Sequence, residues 1–316
     1  MNEAFAMRVA SAVGRRVVGQ EVLVRRLLVA LLAQGHVLLE GVPGLAKTLI
    51  VRSLAASLDV DFRRIQFTPD ILPSDVVGTL VFRPDRGVFV VSRGPVFANI
   101  ILVDELNRAP AKVQSALLEA MEERQVTLGG RTMTLPEPFM VLATENPVEQ
   151  QGTYPLAEAQ LDRFMMLLRV DYPSRDDEHR ILEAAVGGQR QPIHPVATCA
   201  DLMDVRRAVG EVKVAATLSR YVVDLVRATR DPASVGLPEL EGTVQLGGSP
   251  RAGVNLLAAA RANAFLENRA FVLPEDVKEL AGDVLSHRIL LTYEAAARGI
   301  DSRDVVESIL AAVPVP

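Results

Sequence analysis

The chain has 316 residues, of which 49% are hydrophobic, 23% charged and 4% aromatic, with no Trp and a formal charge of −5. That length suits one large α/β domain plus a smaller second one, with a core of Leu, Val, Ala and Ile rather than aromatic rings. The acidic balance supplies no overall basic footprint for nucleic acid; the single cysteine, Cys199, excludes an intrachain disulfide and a cysteine-rich metal site.

The first residues, Met1-Asn2-Glu3-Ala4-Phe5-Ala6-Met7-Arg8, mix acid and base where a signal peptide needs an apolar segment. No stretch offers the ~18 uninterrupted apolar residues of a membrane-spanning helix, so no membrane insertion and a cytoplasmic location are expected. Glu21 to Gln34 carries Val22, Leu23, Leu27, Leu28, Leu31 and Leu32 at helical spacing and reads as an amphipathic helix. Val37-Leu38-Leu39 then reads as a buried strand, followed by Gly41-Val42-Pro43-Gly44-Leu45-Ala46-Lys47-Thr48 and a helical run from Leu49.

Strand, glycine turn and helix N-terminus place unpaired backbone N–H groups around one point, where polyphosphate can sit. Lys47 would reach the β- and γ-phosphates and Thr48 would offer its hydroxyl to Mg²⁺. Ala46 stands where the G-x-x-x-x-G-K-[ST] pattern has its last glycine; a methyl group restricts φ > 0 without forbidding the turn. A Gly/Pro loop that merely ends in Lys-Thr is the plain alternative.

Further strands are expected at 62–67, 100–103, 139–143 and 164–168, with a clear helix over 111–124 entered through Pro110. Apolar strands alternating with helices predict a parallel sheet covered on both faces. Two hairpins interrupt the scheme. Leu80-Val81-Phe82 and Val88-Phe89-Val90-Val91 flank a turn ending in Gly87, and Val126-Thr127-Leu128 and Thr132-Met133-Thr134-Leu135 flank Gly129-Gly130. A doubly wound domain needs neither insertion, which favours a working role over mere extension of a sheet edge.

After Tyr172-Pro173 the strand signal fades. Ser174 with Asp177 resembles a capping box opening a helix to about Val186, and helices are expected near 200–209, 217–229, 251–267 and 274–285. The expected division is therefore an α/β nucleotide-binding core over 1–172 and a helical domain over 173–316. Residues 231–249 show little periodicity and read as a long loop, functional or disordered.

Four segments complete the candidate chemistry. Ile100 to Val103 is an apolar strand that delivers Asp104 and Glu105 to the carboxyl edge of the sheet, where Asp104 would hold Mg²⁺ with Thr48 and Glu105 would act as general base on water. Asn146, in Thr144-Glu145-Asn146-Pro147, is either a turn former or an amide that positions the attacking water. Arg163, in Leu161-Asp162-Arg163-Phe164, either pairs locally or reaches a neighbouring subunit's site to offset charge on the transferred phosphoryl. In Ser249-Pro250-Arg251, Ser caps a helix and Pro opens it, so Arg251 opposes the helix macrodipole unless an anion lies near. The four histidines, His36, His179, His194 and His287, lack metal-ligand spacing.

Taken together, these segments resemble the MoxR family of AAA+ ATPases. The match runs through Val18-Gly19-Gln20, the Gly41–Thr48 loop, Phe67-Thr68-Pro69-Asp70 and Gly94-Pro95-Val96-Phe97. It continues through LVDELNRAPAKVQSALLEAMEERQVT (102–127), the 143–147 segment, Leu161–Phe164 and Ser249–Ala252. The family tolerates alanine at the Ala46 position, and many relatives have Gln where Glu145 stands. The resemblance implies a P-loop AAA+ parallel-sheet nucleotide domain with β-hairpin inserts, followed by a small all-α lid. It implies ATP held by Val18, Gly19, Gln20, Gly41, Pro43, Gly44, Leu45, Ala46, Lys47, Thr48, Leu49 and Arg251, with Mg²⁺ on Thr48 and Asp104. It assigns Glu105 and Lys47 to hydrolysis, Asn146 to sensor 1, Arg163 to the arginine finger and Arg251 to sensor 2. Relatives form rings, usually hexamers, with the inserts facing a central pore. They act as chaperone-like remodelling ATPases, often with von Willebrand factor A domain partners, in metal-centre maturation or stress responses. A nucleic-acid motor or loader is the competing expectation, with Arg83, Arg86, Arg93 and Arg131 near the hairpins as phosphate contacts and the acidic balance against it.

Overall fold

The computed structural model describes residues 2–42, 44–146, 152–186 and 192–316. Helices α1 (Asn2–Gly14) and α2 (Glu21–Leu32) lead into strand β1 (Val37–Glu40) and, after the glycine turn, α3 (Lys47–Ser57). Strand β2 (Phe62–Gln66), the short α4 (Pro73–Val77) and the hairpin β3 (Gly78–Arg83)/β4 (Val88–Arg93) follow. Next come β5 (Ile100–Asp104), α5 (Ala111–Glu123), the hairpin β6 (Gln125–Leu128)/β7 (Arg131–Thr134), β8 (Met140–Glu145), α6 (Glu158–Leu161) and β9 (Met166–Arg169).

Five of these strands form one parallel sheet in the order β2-β5-β8-β1-β9. Both faces are covered, yet the strands still alternate between two cores. Val37, Leu39, Ile100, Leu102 and Met140 face the helices α1, α2 and α3, whereas Leu38, Ile101, Val103, Val141 and Ala143 face α5 and the hairpins. The edge strand β2 departs from the apolar expectation: Arg63, Arg64 and Gln66 are exposed, because an edge strand can keep polar side chains in water. The register pairs Glu40 with Glu145 and Gln66 with Asp104, so the polar strand ends lie side by side at the carboxyl edge. β9 begins two residues after the expected Phe164, since the carbonyls of Phe164 and Met165 are taken by the Arg288 side chain.

The N-terminal segment, for which no helix was expected, forms α1 because Phe5, Val9, Ala12 and Val13 recur at helical spacing and bury completely. The remaining described residues are mainly helical, against the all-α expectation only in one short strand pair: α7 (Arg175–Val186), α8 (Cys199–Gly210), α9 (Ala216–Ala228), α10 (Pro250–Leu266), α11 (Pro274–Leu285), α12 (Tyr293–Ala297) and α13 (Ser302–Ala312). The Ser174 cap of α7 forms as expected, with the Asp177 N–H donating to Ser174 Oγ at 3.2 Å. Helix α10 buries five alanines together with Leu256 and Phe265, and these small side chains let it pack closely against α9, α11 and α2. The 231–249 stretch is neither a structureless loop nor disordered. It holds two 3₁₀ turns and a strand β10 (Val244–Leu246) that pairs antiparallel with β11 (Leu290–Leu291). No helix of the described residues is long and apolar enough to cross a membrane.

Candidate nucleotide site

The turn after β1 requires glycine for space as well as rotation. A Cβ on Gly41 would lie 2.8 Å from the Val170 carbonyl oxygen, while Gly44 adopts φ 93° with open space around it. Ala46 takes the left-handed conformation, φ 55° and ψ 17°, directly before α3. That conformation costs an L-residue roughly 1–2 kcal/mol, so the surrounding turn must hold it in place. Lys47 folds back over the loop, donating from Nζ to the Gly41 carbonyl at 2.5 Å. Burial pulls its ammonium below the ordinary value, and the carboxylates of Asp104 and Glu105 push it back up.

Asp104 ends β5 and is buried, with Arg64 Nε donating to its Oδ2 at 2.5 Å and Thr144 Oγ1 lying 3.4 Å from Oδ1. The next residue, Glu105, is again left-handed (φ 60°, ψ 54°), and its backbone N–H donates to Thr144 Oγ1 at 3.0 Å. Its carboxylate is engaged on Oε2 by Gln66 Nε2 at 2.8 Å and by Arg108 Nε at 3.1 Å. Two non-glycine residues in this sparsely populated backbone region thus flank one cavity of about 400 Å³. Gly41, Gly44 to Leu49, Asp104, Glu105 and the buried Asn146 all line it. Pro43 and Pro147 lie outside the described residues. The Thr48 hydroxyl and the Asp104 carboxylate are hard oxygen donors in the same cavity, a donor set that fits Mg²⁺. Arg64, Gln66, Arg108 and Thr144 were not among the site residues legible in the sequence. The signal available was the polar alternation Arg64/Gln66 on an otherwise strand-like run, which has meaning only once β2 is known to border β5.

Glu145 also lines the cavity. Burial, and then the carboxylate of Glu40 on the adjacent strand, raise its carboxyl to about 7. Glu40 itself is paired with Arg169 at 3.2 Å.

Val18 is half-buried, while Gly19 and Gln20 line a second cavity of about 500 Å³ bounded by Asp171, Tyr172, α11 and α13. Gln20 Nε2 donates to the Asp171 carbonyl at 3.3 Å. A Cβ on Gly19 (φ 73°) would come within 2.6 Å of Asp177 Cγ, so both rotation and space call for glycine.

Arg163 and Arg251 do not reach the phosphate loop of their own chain. Both converge on Glu122 at the end of α5, Arg163 Nη2 at 3.1 Å from Oε2 and Arg251 Nη2 at 2.7 Å from Oε1. They share a cavity of about 380 Å³ with Gln34, Gly35 and His36, which precede β1, whereas the phosphate loop follows β1. The strand's four residues alone span ~13 Å, so the arginines and the loop sit at opposite edges of the sheet. The sequence placed Arg251 with the nucleotide-binding residues; within one chain it lies apart from them. Ser249 does cap α10, accepting from the Arg251 N–H at 3.2 Å, and the anions that reconcile Arg251 with the helix dipole are Glu122 and Asp162.

The histidines are structural where they are buried. His36 accepts from the Val141 N–H on Nδ1 at 2.9 Å and lies 3.2 Å from the Met121 carbonyl on Nε2, a neutral tautomer whose pKa burial lowers to about 4. The first hairpin exposes Leu80, Val81, Phe82, Val88 and Phe89, with the rings of Phe82 and Phe89 5.1 Å apart. The second turns through Gly129 and Gly130 at φ 57° and 77°, the two positive values a type I′ turn requires, and Leu80 packs over Gly129.

Residues 36–166 match the model of the ATPase family associated with various cellular activities (AAA), and residues 240–309 match the AAA lid domain. The chain is 47% identical over 304 residues to Chaperone MoxR1 of Mycobacterium tuberculosis, covering 96% of this chain and 80% of that protein. It is 33% identical to Protein MoxR of Paracoccus denitrificans, covering 95% and 93% respectively. The crystal structure of a putative ATPase from Cytophaga hutchinsonii superimposes with a TM-score of 0.93 at 48% identity, covering 99% of this chain and 96% of that one.

Proposed function

This chain belongs to the MoxR family of AAA+ ATPases, and we propose that it is a cytoplasmic, Mg²⁺-dependent ATP hydrolase that assembles as a ring, with a hexamer expected. Each nucleotide would be sandwiched between the loop of one copy and the arginines of the next. The observation that carries this reading is the separation just described. One edge of the sheet gathers a phosphate loop and two acids, while two arginines that could offset phosphoryl charge face away from it on the opposite edge. A second copy resolves the mismatch. The division into a nucleotide domain over 1–172 and a lid over 173–316 belongs to the same proposal, with α2 packed between them against α10 and α8.

In this reading Lys47 and the N–H groups at the start of α3 hold the β- and γ-phosphates, and Gly19 and Gln20 lie on the base side. Thr48 and Asp104 would hold Mg²⁺, which supplies neutralising charge between the phosphates. Glu105 accepts a proton from the attacking water after leaving Gln66 and Arg108, and Asn146 orients that water. The neighbour's Arg163 and Arg251 exchange Glu122 for the phosphoryl oxygens.

The exposed Phe82/Phe89 hairpin favours a polypeptide over nucleic acid as the thing gripped, since its outward face is apolar. Chaperone-like remodelling or maturation of partner proteins is supported by that surface and by the relative named Chaperone MoxR1, whereas metal insertion and von Willebrand factor A domain partners rest on the family resemblance alone. Steady-state ATPase activity should be measured alone, with DNA, and with an unfolded polypeptide. Stimulation by polypeptide is expected; stimulation by DNA alone would replace this reading with a nucleic-acid motor. Lys47→Ala and Arg163→Ala subunits, each inactive, should regain turnover when mixed, because some boundaries then unite an intact loop with an intact finger. No recovery in verified mixed assemblies would refute the shared site.

A further inference from the structure

Arg288 is 98% removed from solvent at its side chain, counting from the 2% that remains exposed, and it does not touch the phosphate cavity. Its N–H donors meet five oxygens, and Nη1 also lies 2.7 Å from His287 Nε2. Nε donates to Asp162 Oδ1 at 2.7 Å, and Nη2 donates to the carbonyls of Asp162 at 3.0 Å and Phe164 at 2.6 Å. Nη1 donates to the carbonyls of Met165 at 3.2 Å and Val284. Three of those carbonyls belong to residues 162, 164 and 165, on either side of Arg163. The other carboxylate oxygen of Asp162 accepts from Ser249 Oγ at 2.9 Å and lies 3.8 Å from Arg251 Nη1. Asp162 is therefore a node between the segment carrying Arg163, the cap carrying Arg251 and the end of α11.

Burying a guanidinium is costly until its partners compensate, and an apolar side chain would join two elements at lower cost. What a fully engaged guanidinium adds is direction: five bonds set both the position and the orientation of the backbone they hold. A finger acting across a subunit boundary needs that, because an error of about 1 Å in placement can cost about a hundredfold in rate.

We infer that Asp162 and Arg288 are positioning residues that bind Arg163 and Arg251 into one rigid unit and aim it at the triphosphate of the neighbouring subunit. The inference rests on the shared-site reading above. It also implies that the lid and the finger move together, so that nucleotide closing the lid of one subunit re-aims its arginines at the next.

The test uses the full chain carrying Asp162→Asn, which keeps the side-chain shape, and separately Arg288→Lys, which keeps the charge. Each should lower kcat for ATP by about ten- to hundredfold while KM changes less than about threefold. Mixed with Lys47→Ala subunits, each should recover turnover, since its own loop then meets a correctly aimed finger. Mixed with Arg163→Ala subunits, neither should recover, because both defects lie on the same half of the boundary. Wild-type kcat in both variants, or recovery with Arg163→Ala in place of Lys47→Ala, would overturn the inference. If Arg288→Lys fails to fold by thermal melting, Asp162→Asn decides alone. If Arg163→Ala itself is not rescued by Lys47→Ala, the shared-site reading fails first, and the two failures are thereby told apart.

Discussion

Replacing Glu145 by Gln should stabilise the protein at alkaline pH and leave it unchanged in acid. The carboxyl is raised from 4.5 to about 7, first by burial and then by Glu40 across the β1–β8 register. The sign follows from linkage: the unfolded chain ionises this group near 4.5, the folded chain only near 7. Folding stability is therefore lost progressively as pH rises from 4.5 to about 7, and the penalty is fully present above that. At 1.36 kcal/mol per pH unit it amounts to about 3 kcal/mol. An amide of the same shape carries no such penalty. Thermal melting of both proteins at pH 5 and pH 8.5 should show the Gln variant several degrees higher at pH 8.5 and nearly coincident at pH 5. Because Glu145 lines the phosphate cavity, wild-type ATP affinity should also weaken above pH 7, where its charge repels the phosphates, and the variant's affinity should not. An equal advantage at both pH values would refute the reasoning, since it would mean that packing rather than ionisation separates the two side chains.

Glu105→Gln should bind ATP with near wild-type affinity and lose turnover by about 10²-fold or more, read by equilibrium binding beside phosphate release. Ala46→Gly should raise the melting temperature slightly, by up to about 1 kcal/mol of stability, because it relieves the left-handed alanine; unchanged ATP affinity would accompany it. The His36 ring, lowered to about 4, makes stability fall as pH drops from 6.5 towards 4, and an acid titration followed by near-ultraviolet circular dichroism should show that loss weakened in a His36→Gln variant. Phe82→Ala with Phe89→Ala should leave basal ATPase activity within about twofold while abolishing stimulation by an unfolded polypeptide.

The sheet strands were legible because four of them are short apolar runs with no competing period, and the phosphate loop was legible because glycine spacing and Lys-Thr are local chemistry. The helix α1 carries the same kind of signal, with Phe5, Val9, Ala12 and Val13 at helical spacing among charged residues. Residues 231–249 were not, since β10 is three residues long and acquires its order from β11, more than 40 residues further on. Gln66 and Arg64 could not be read as site residues from a segment in which they are simply polar positions on a strand. Arg288 had no local pattern at all, because four of the five oxygens it meets belong to residues over 120 positions earlier.

What the order of residues determined by itself is the set of groups available: a loop that can cradle phosphate, two acids after an apolar strand, an amide, and two arginines in recognisable settings. Those are short-range features, governed by backbone conformation and side-chain chemistry within a few residues. Which of them share a site was decided by the sheet. Its parallel register brings Asp104, Glu145 and the loop after Glu40 to one edge, and the length of β1 separates that edge from Glu122, Arg163 and Arg251. A distance across a strand depends on how distant segments pair, so the motif around Arg251 could not disclose that this arginine faces away from the loop of its own chain.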